Sequence, residues 1–207
     1  MSIASIGKVS DVALDGRHQR AERSRTAVVD ALLSLYDDGI LRPGVADIAA
    51  RAGVSPRSVF RHFDDLEALA RAAIDRQWER VHTLFDAPSR EGDRSTRVTA
   101  LVEQRLRLYA AVIGVARAAA LLSLSSPVVA STLRARRRLL GDQVAALFEP
   151  ELRVRRGRAR RELAAALEAT ASVENLDYLR AHAGLGAERT AAVVCRTLLA
   201  LLEADDG

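Results

Sequence analysis

Residues 45–69 read VADIAARAGVSPRSVFRHFDDLEAL. Val45, Ile48, Ala49 and Ala52 recur at helical spacing and make one narrow apolar stripe. Gly53 stops it, because a residue without Cβ reaches the left-handed conformation that ends a helix. Ser55 offers a hydroxyl to cap a second helix, and Pro56 suits that helix's first position, where no amide donor is needed. Val59, Phe60 and Phe63 are expected to face inward, leaving Arg57, Ser58, Arg61 and His62 pointing largely outward. Two short helices joined by a tight glycine turn, the second basic on its free face, have the form of a helix-turn-helix.

The flanks of this stretch are helical as well. Val29, Leu32, Leu33, Tyr36 and Ile40 share one face of a first helix expected over about residues 20–38. Asp64 and Glu67 have the spacing of a capping box for a fourth helix, which Pro88 and its polar surroundings close. Residues 1–16 hold no sustained period and are expected to form a mobile arm. Beyond Asp93 further helical stripes follow, through Val98, Leu101 and Tyr109, then Val129, Leu133 and Val144. Two last helices are expected over about 158–182 and 187–203. No strand pattern competes, so the chain is predicted to be all-α with about nine helices. Residues 17–66 would form a three-helix domain that holds the helix-turn-helix and residues 67–207 a larger helical domain, with the fourth helix coupling the two.

Composition narrows the function. In 207 residues with 49% hydrophobic content there is enough apolar material for a packed core. The net charge is only +4, so any preference for a polyanion must come from where charge is placed. Between Arg42 and Phe63 the arginines at 42, 51, 57 and 61 face the single acid Asp47, and the segment carries +3 of that total. A lone cysteine, Cys195, excludes an internal disulfide framework and lies on the apolar stripe of the last helix, as a core or interface thiol would. The four histidines, His18, His62, His82 and His182, lack mutual ligand spacing, so no metal site is expected, nor any cofactor. No phosphate loop, nucleophile elbow or catalytic carboxylate pair is present, and an enzyme is not expected. The N-terminus lacks the unbroken apolar core of a signal peptide, and no apolar run reaches transmembrane length; a cytoplasmic location without a membrane partner is expected.

Arg57 and Arg61 can pair bidentately with guanine or phosphate, while Ser58 and His62 can reach a base edge or a backbone oxygen. At this level the sequence resembles the tetracycline-repressor (TetR) family of bacterial transcription regulators. The resemblance rests on Ile48-Ala49, Ala52-Gly53-Val54-Ser55, the aromatic Phe60, the His62-Phe63 pair and the acidic-to-leucine entry into the next helix, and covers about residues 20–70. It implies DNA contacts by Arg42, Gly44, Ser55, Pro56, Arg57, Ser58, Phe60, Arg61 and His62, with Val54, Val59 and Phe63 as core. It also implies a repressor that binds a palindromic double-stranded operator as a homodimer through its last two helices and is released by a small molecule. Two departures stand out: Gly44 replaces a common Thr, and Leu66 a frequent Lys, both of which contact phosphates in the family. Arg42, Arg23 or the N-terminal arm are the candidates to replace them.

An effector pocket would lie among the middle helices, with Trp78, His82, Phe85, Tyr109, Leu121, Leu122 and Tyr178 as candidate contacts. The dense run from Arg153 to Arg161 is a solvated helix start on its plain reading and a second anionic-partner site on its sharper one. The residues alone also admit a helical adaptor whose helix pair is structural, or a small all-α enzyme using the C-terminal cavity.

Overall fold

The computed structural model describes residues 7–203, with side chains from residue 19 onward. Among these residues there are ten α-helices and no strand: α1 Gly7–Asp37, α2 Val45–Ala52, α3 Pro56–His62, α4 Leu66–Val81, α5 Arg94–Leu122, α6 Pro127–Leu147, α7 Glu149–Arg153, α8 Gly157–Thr170, α9 Val173–Asp177 and α10 Ala187–Glu203. A 3-10 turn, His82–Phe85, follows α4, and a π turn, Tyr178–His182, follows α9.

Three differences from the sequence reading have local causes. α1 starts at Gly7, well ahead of residue 20, so much of the expected arm is helical, while residues 1–6 lie outside the described residues. α4 is capped by Asp65, not Asp64: Asp65 is extended at φ −151°, and its Oδ1 accepts from the Ala68 amide at 2.6 Å. The helix expected over 158–182 breaks at Ala171, because the Ser172 hydroxyl caps a new helix at the Asn175 amide (3.1 Å) and the Asn175 side chain donates to the Thr170 carbonyl (2.8 Å).

Apolar periodicity along these helices resolves into two main cores. The first gathers Leu32, Leu33 and Tyr36 of α1, Ile48 of α2, Val59 of α3 and Leu69 and Ile74 of α4, and it also takes in Val115 and Ala119 of α5 and Val129 of α6. The second joins α5 to α10 through Leu101, Leu147, Phe148, Leu167, Leu176 and Leu198, with Cys195 half-buried at its margin. The N-terminal helices therefore rest on the larger helical body without a solvated linker. Gly114 makes the closest approach: a Cβ there would come within 2.7 Å of the Tyr36 carbonyl oxygen, so only glycine lets α5 lie directly on the end of α1. Asp30 of α1 receives both Arg76 and Arg80 of α4 and holds those two helices in register.

Two polar devices stiffen the second core. Arg97 and Glu151, at 9% and 7% side-chain exposure, meet at 2.5 Å and 3.2 Å, and Arg97 also donates to the Leu147 carbonyl at 2.6 Å. Three of the six arginines in the run 153–161 have partners of their own: Arg160 pairs with Glu149 at 2.9 Å, Arg158 with Glu162 at 2.6 Å, and Arg155 donates to the Glu151 carbonyl at 2.8 Å. Those contacts favour the plain reading of that run.

Candidate nucleic-acid interface and internal cavity

The helix pair is built by its own sequence. Gly53 sits at φ 67°, ψ 31°, and its amide donates to the carbonyls at the end of α2 while Val54 N–H reaches the Ala49 carbonyl at 3.0 Å. Ser55 caps α3 by accepting from the Ser58 amide at 3.2 Å, with Pro56 at the first helical position. The two hydroxyls of Ser55 and Ser58 lie 3.0 Å apart. Ile48, Ala49, Val59 and Phe63 are buried and clamp both helices on α1, and Val54 is partly buried against them.

The outward face of α3 is narrower and more apolar than the sequence suggested. Arg57 and Arg61 are exposed and make no ion pair among the described residues. Phe60, expected inside, is 54% exposed between them. The reason is geometric: α3 has only two turns, and Val59 and Phe63 already fill the one face that α1 can cover. His62, expected outside, is half-buried, with Nε2 3.1 Å from the Ser24 hydroxyl of α1. Burial holds its imidazole below the ordinary value, helped by Arg61 and Arg25 and opposed by Glu22. Arg25 in turn lies 4.9 Å from the centre of the Phe63 ring.

The four arginines of residues 42–63 divide into two kinds. Arg51 is an internal brace, bonded to Asp38 at 2.7 Å and to the Ser34 hydroxyl at 2.5 Å. Arg42 is exposed just before α2, so that with Arg57 and Arg61 three guanidiniums of this segment remain exposed. Asp47, the one acid, accepts from the Gly44 amide at 2.9 Å. Gly44 is extended at φ −75°, ψ 163°, and a Cβ would meet nothing nearer than 3.4 Å, so nothing in the backbone demands glycine there. Leu66, the other departure, is 40% exposed at the start of α4. It lines an open cleft of about 450 Å³ between the helix-turn-helix and the tip of α5, together with Arg42, Tyr36, Leu121 and Leu122. Glu67 bridges that cleft by accepting from the Ser126 hydroxyl at 2.7 Å.

A separate, partly open cavity of about 180 Å³ lies between α4, α5, α6 and α9. Its apolar walls include Val81, Phe85, Val112, Leu133 and Leu140, and its polar edge is Gln77, Arg117, Arg136, Arg137, Glu174 and Asp177. Of the seven residues expected to line an effector site, Phe85 does so. Trp78 stands behind it, its ring 4.9 Å from Phe85 and 5.1 Å from the Arg136 guanidinium. Tyr109 is buried and donates to Asp177 Oδ1 at 3.1 Å, which ties it to the cavity's edge. Leu121 and Leu122 belong to the other cleft. His82 is exposed, and Tyr178, at 61% exposure, stacks on His182 at the surface. Arg117, Arg136 and Asp177 escaped the sequence reading because charged residues on a helix default to solvent. The one signal available was the placement of Arg117 and Arg136 at helical spacing from Ile113, Leu133 and Leu140. Among the described residues no group of three His, Cys, Asp or Glu side chains converges on a possible metal position, and no helix is long and apolar enough to cross a membrane.

A short basic helix held out from a three-helix unit, on an otherwise helical body with a partly open cavity, has the architecture of a helix-turn-helix domain joined to a larger helical one. Residues 30–73 match the family model of bacterial regulatory proteins of the tetR family. The whole fold is shared with a transcriptional regulator from Rhodococcus sp. Rha1, at TM-score 0.65 and 22% identity over 90% of this chain and 98% of that one. It is shared too with a tetR-family transcriptional regulator from Streptomyces coelicolor, at TM-score 0.61 and 21% identity over 89% and 84%. The chain thus carries the DNA-binding segment that this family model describes, on a fold shared with these regulators.

Proposed function

We propose that this regulator is a repressor that reads a palindromic operator as a homodimer and is released by a small molecule. The single observation that carries the DNA reading is the exposed row of Arg57, Phe60 and Arg61 on α3, unpaired and held rigid by the Gly53 turn and the Ser55 cap. In this reading Arg57 and Arg61 reach base edges or phosphates, and Phe60 packs on the sugar-phosphate backbone. Ser55, Pro56 and Ser58 bring the start of α3 against the groove, Arg42 touches phosphates with Gly44 lying beside it, its amide already held by Asp47, and His62 acts from its anchored position. One helix of seven residues makes few contacts, so two copies on half-sites about 34–36 Å apart are needed.

Dimerisation is assigned to α8 and α10. Ala165, Ala169, Ala192 and Ala200 are exposed on these helices, with Val193 and half-buried Leu199 beside them, and small side chains allow close helix packing across a two-fold axis. The functional division falls near residues 66–67, with α4 belonging to both halves. α4 spans about 24 Å, one end beside α3 and the other, at Gln77 and Val81, in the wall of the inner cavity. A ligand that fits the cavity better in the conformation with poorly spaced reading heads shifts the population away from DNA. The chain acts in the cytoplasm and is not assigned a catalytic step.

Selection from random duplex DNA with the purified full chain tests the operator reading. An enriched inverted repeat is expected, with affinity lowered about 5- to 150-fold by Arg57→Ala, the range for loss of a bidentate base contact. Salt-sensitive retention with no enriched sequence would reduce the interface to electrostatic attraction for phosphates.

A further inference from the structure

The inner cavity carries a charge pattern that points to the kind of molecule it accepts. Three arginines line it. Two are neutralised from within: Arg117 grips Asp177 through Nε at 3.2 Å and a terminal nitrogen at 2.5 Å, and Arg137 meets Glu174 at 2.8 Å. The third, Arg136, is half-buried and makes no ion pair among the described residues. Its contacts are one long hydrogen bond to the Ile74 carbonyl at 3.4 Å and the Trp78 ring. Burial pulls its guanidinium below the ordinary value, and Asp75, acting from beyond ion-pair distance, only partly offsets this.

A second cation sits on the other side of Leu140. Arg105 is 1% exposed and is held only by neutral oxygens, those of the Gln104 and Gln143 side chains and the Leu140 carbonyl, while its Nε has no partner. Burial pushes it down to about 10. This half of the molecule thus holds two buried or half-buried guanidiniums that pair with no carboxylate among the described residues, an arrangement whose desolvation cost an anion would offset. Neutral hydrogen-bonding groups are less available, since the Gln77 amide already donates to the Ala111 carbonyl at 2.6 Å. Glu174 and Asp177 at the rim disfavour a dianion. The walls around these charges are aliphatic and aromatic.

We propose that the cavity takes an amphipathic monoanion, an apolar body ending in a carboxylate, with the carboxylate seated on Arg136 and the body against Phe85, Val112, Leu133 and Leu140. This rests on the effector reading above and names the chemical class of that effector. At about 180 Å³ the cavity has room for a body somewhat larger than the benzene that a cavity of about 150 Å³ holds in another protein. A guanidinium and a carboxylate match in geometry, so the pairing selects acids over alcohols of the same shape and rejects amines.

Trp78 is the sole tryptophan and lies against both Arg136 and Phe85, so its fluorescence reports on the cavity directly. The full chain, without DNA, is titrated with benzoate, 3-phenylpropionate, 4-phenylbutyrate, hexanoate and octanoate, each beside its alcohol and amine. At least one acid is expected to bind about tenfold or more tightly than its alcohol, as a charge-assisted hydrogen bond requires. Arg136→Gln should bring that acid down to the level of the alcohol and leave the alcohol unchanged, while Arg136→Lys keeps the preference. The absence of any acid preference across the panel overturns the proposal, and so does a preference that survives Arg136→Gln or is matched by the amines. Operator release is measured separately. An acid that binds through Arg136 but leaves DNA binding intact counts against the effector reading alone, and a neutral cavity ligand that releases DNA counts against the anion alone.

Discussion

Glu151→Gln tests whether the buried pair at the base of the larger domain supports it. The substitution keeps the shape of the side chain and removes its charge, so Arg97 is left as a cation at 9% exposure facing an amide. Both of its hydrogen bonds to the carboxylate, at 2.5 Å and 3.2 Å, are weakened, and Arg94, whose Nε lies 3.5 Å from Glu151 Oε1, loses a partner as well. Burial by itself would push the Glu151 carboxyl up, but the hydrogen bonds and charge of Arg97 outweigh it and hold the group below its ordinary value, as a net favourable pair should. Removing one member of a buried pair costs about 3–5 kcal/mol. For a chain of this size each kcal/mol is worth about 2–4 °C, so the melting temperature should fall by about 6–20 °C. The fall is read from helical circular dichroism during thermal unfolding at neutral pH. The double variant Arg97→Met, Glu151→Leu replaces the pair with apolar groups of similar volume, and most of the loss should be recovered. A Glu151→Gln protein that melts within about a degree of the parent would refute the reasoning, as would a double variant no better than the single.

Two further outcomes concern the reading head. Gly53→Ala should lower stability by about 1–2 kcal/mol, from left-handed backbone strain alone, because no atom lies within 4 Å of the added Cβ; Gly53→Asn should lose less, and equal loss in both, measured by chemical denaturation, would contradict a purely conformational origin. His62 titrates below its ordinary 6.5 because the folded protein resists its protonation. Its contribution is therefore fully present above pH 6.5 and declines as pH falls through the window beneath. The melting-temperature advantage of the parent over His62→Asn should shrink between about pH 7.5 and about pH 5.5, and an advantage constant across that range would detach His62 from the effect.

The sequence was most legible where structure is local. Gly53, Ser55 and Pro56 each act on their own backbone within a few residues, so the turn and the start of α3 could be read directly and are found as read. Phe60 and His62 exchanged burial relative to the helical pattern, though the family resemblance had already put Phe60 at the DNA face, because burial on a two-turn helix depends on which face α1 covers, and that is decided by residues such as Ser24 and Arg25 more than thirty positions away. The cap of α4 moved by one residue for a smaller reason of the same kind, since Asp64 and Asp65 are equivalent in composition and differ only in where the chain turns.

Taken alone, the sequence determined an all-helical chain, its turn chemistry, its apolar faces and the basic patch at residues 42–63, because helical period, glycine conformation and hydroxyl capping are properties of neighbouring residues. Tertiary structure alone decided which arginines are braces and which remain exposed. Arg51 and Arg57 are alike in the sequence, yet the end of α1 brings Asp38 and Ser34 to one and nothing to the other. It likewise separated Arg136 from its neighbour Arg137, because α9 presents Glu174 to one guanidinium and leaves the other in the cavity wall. Charge pairing over such distances depends on how helices pack, and no periodicity records it.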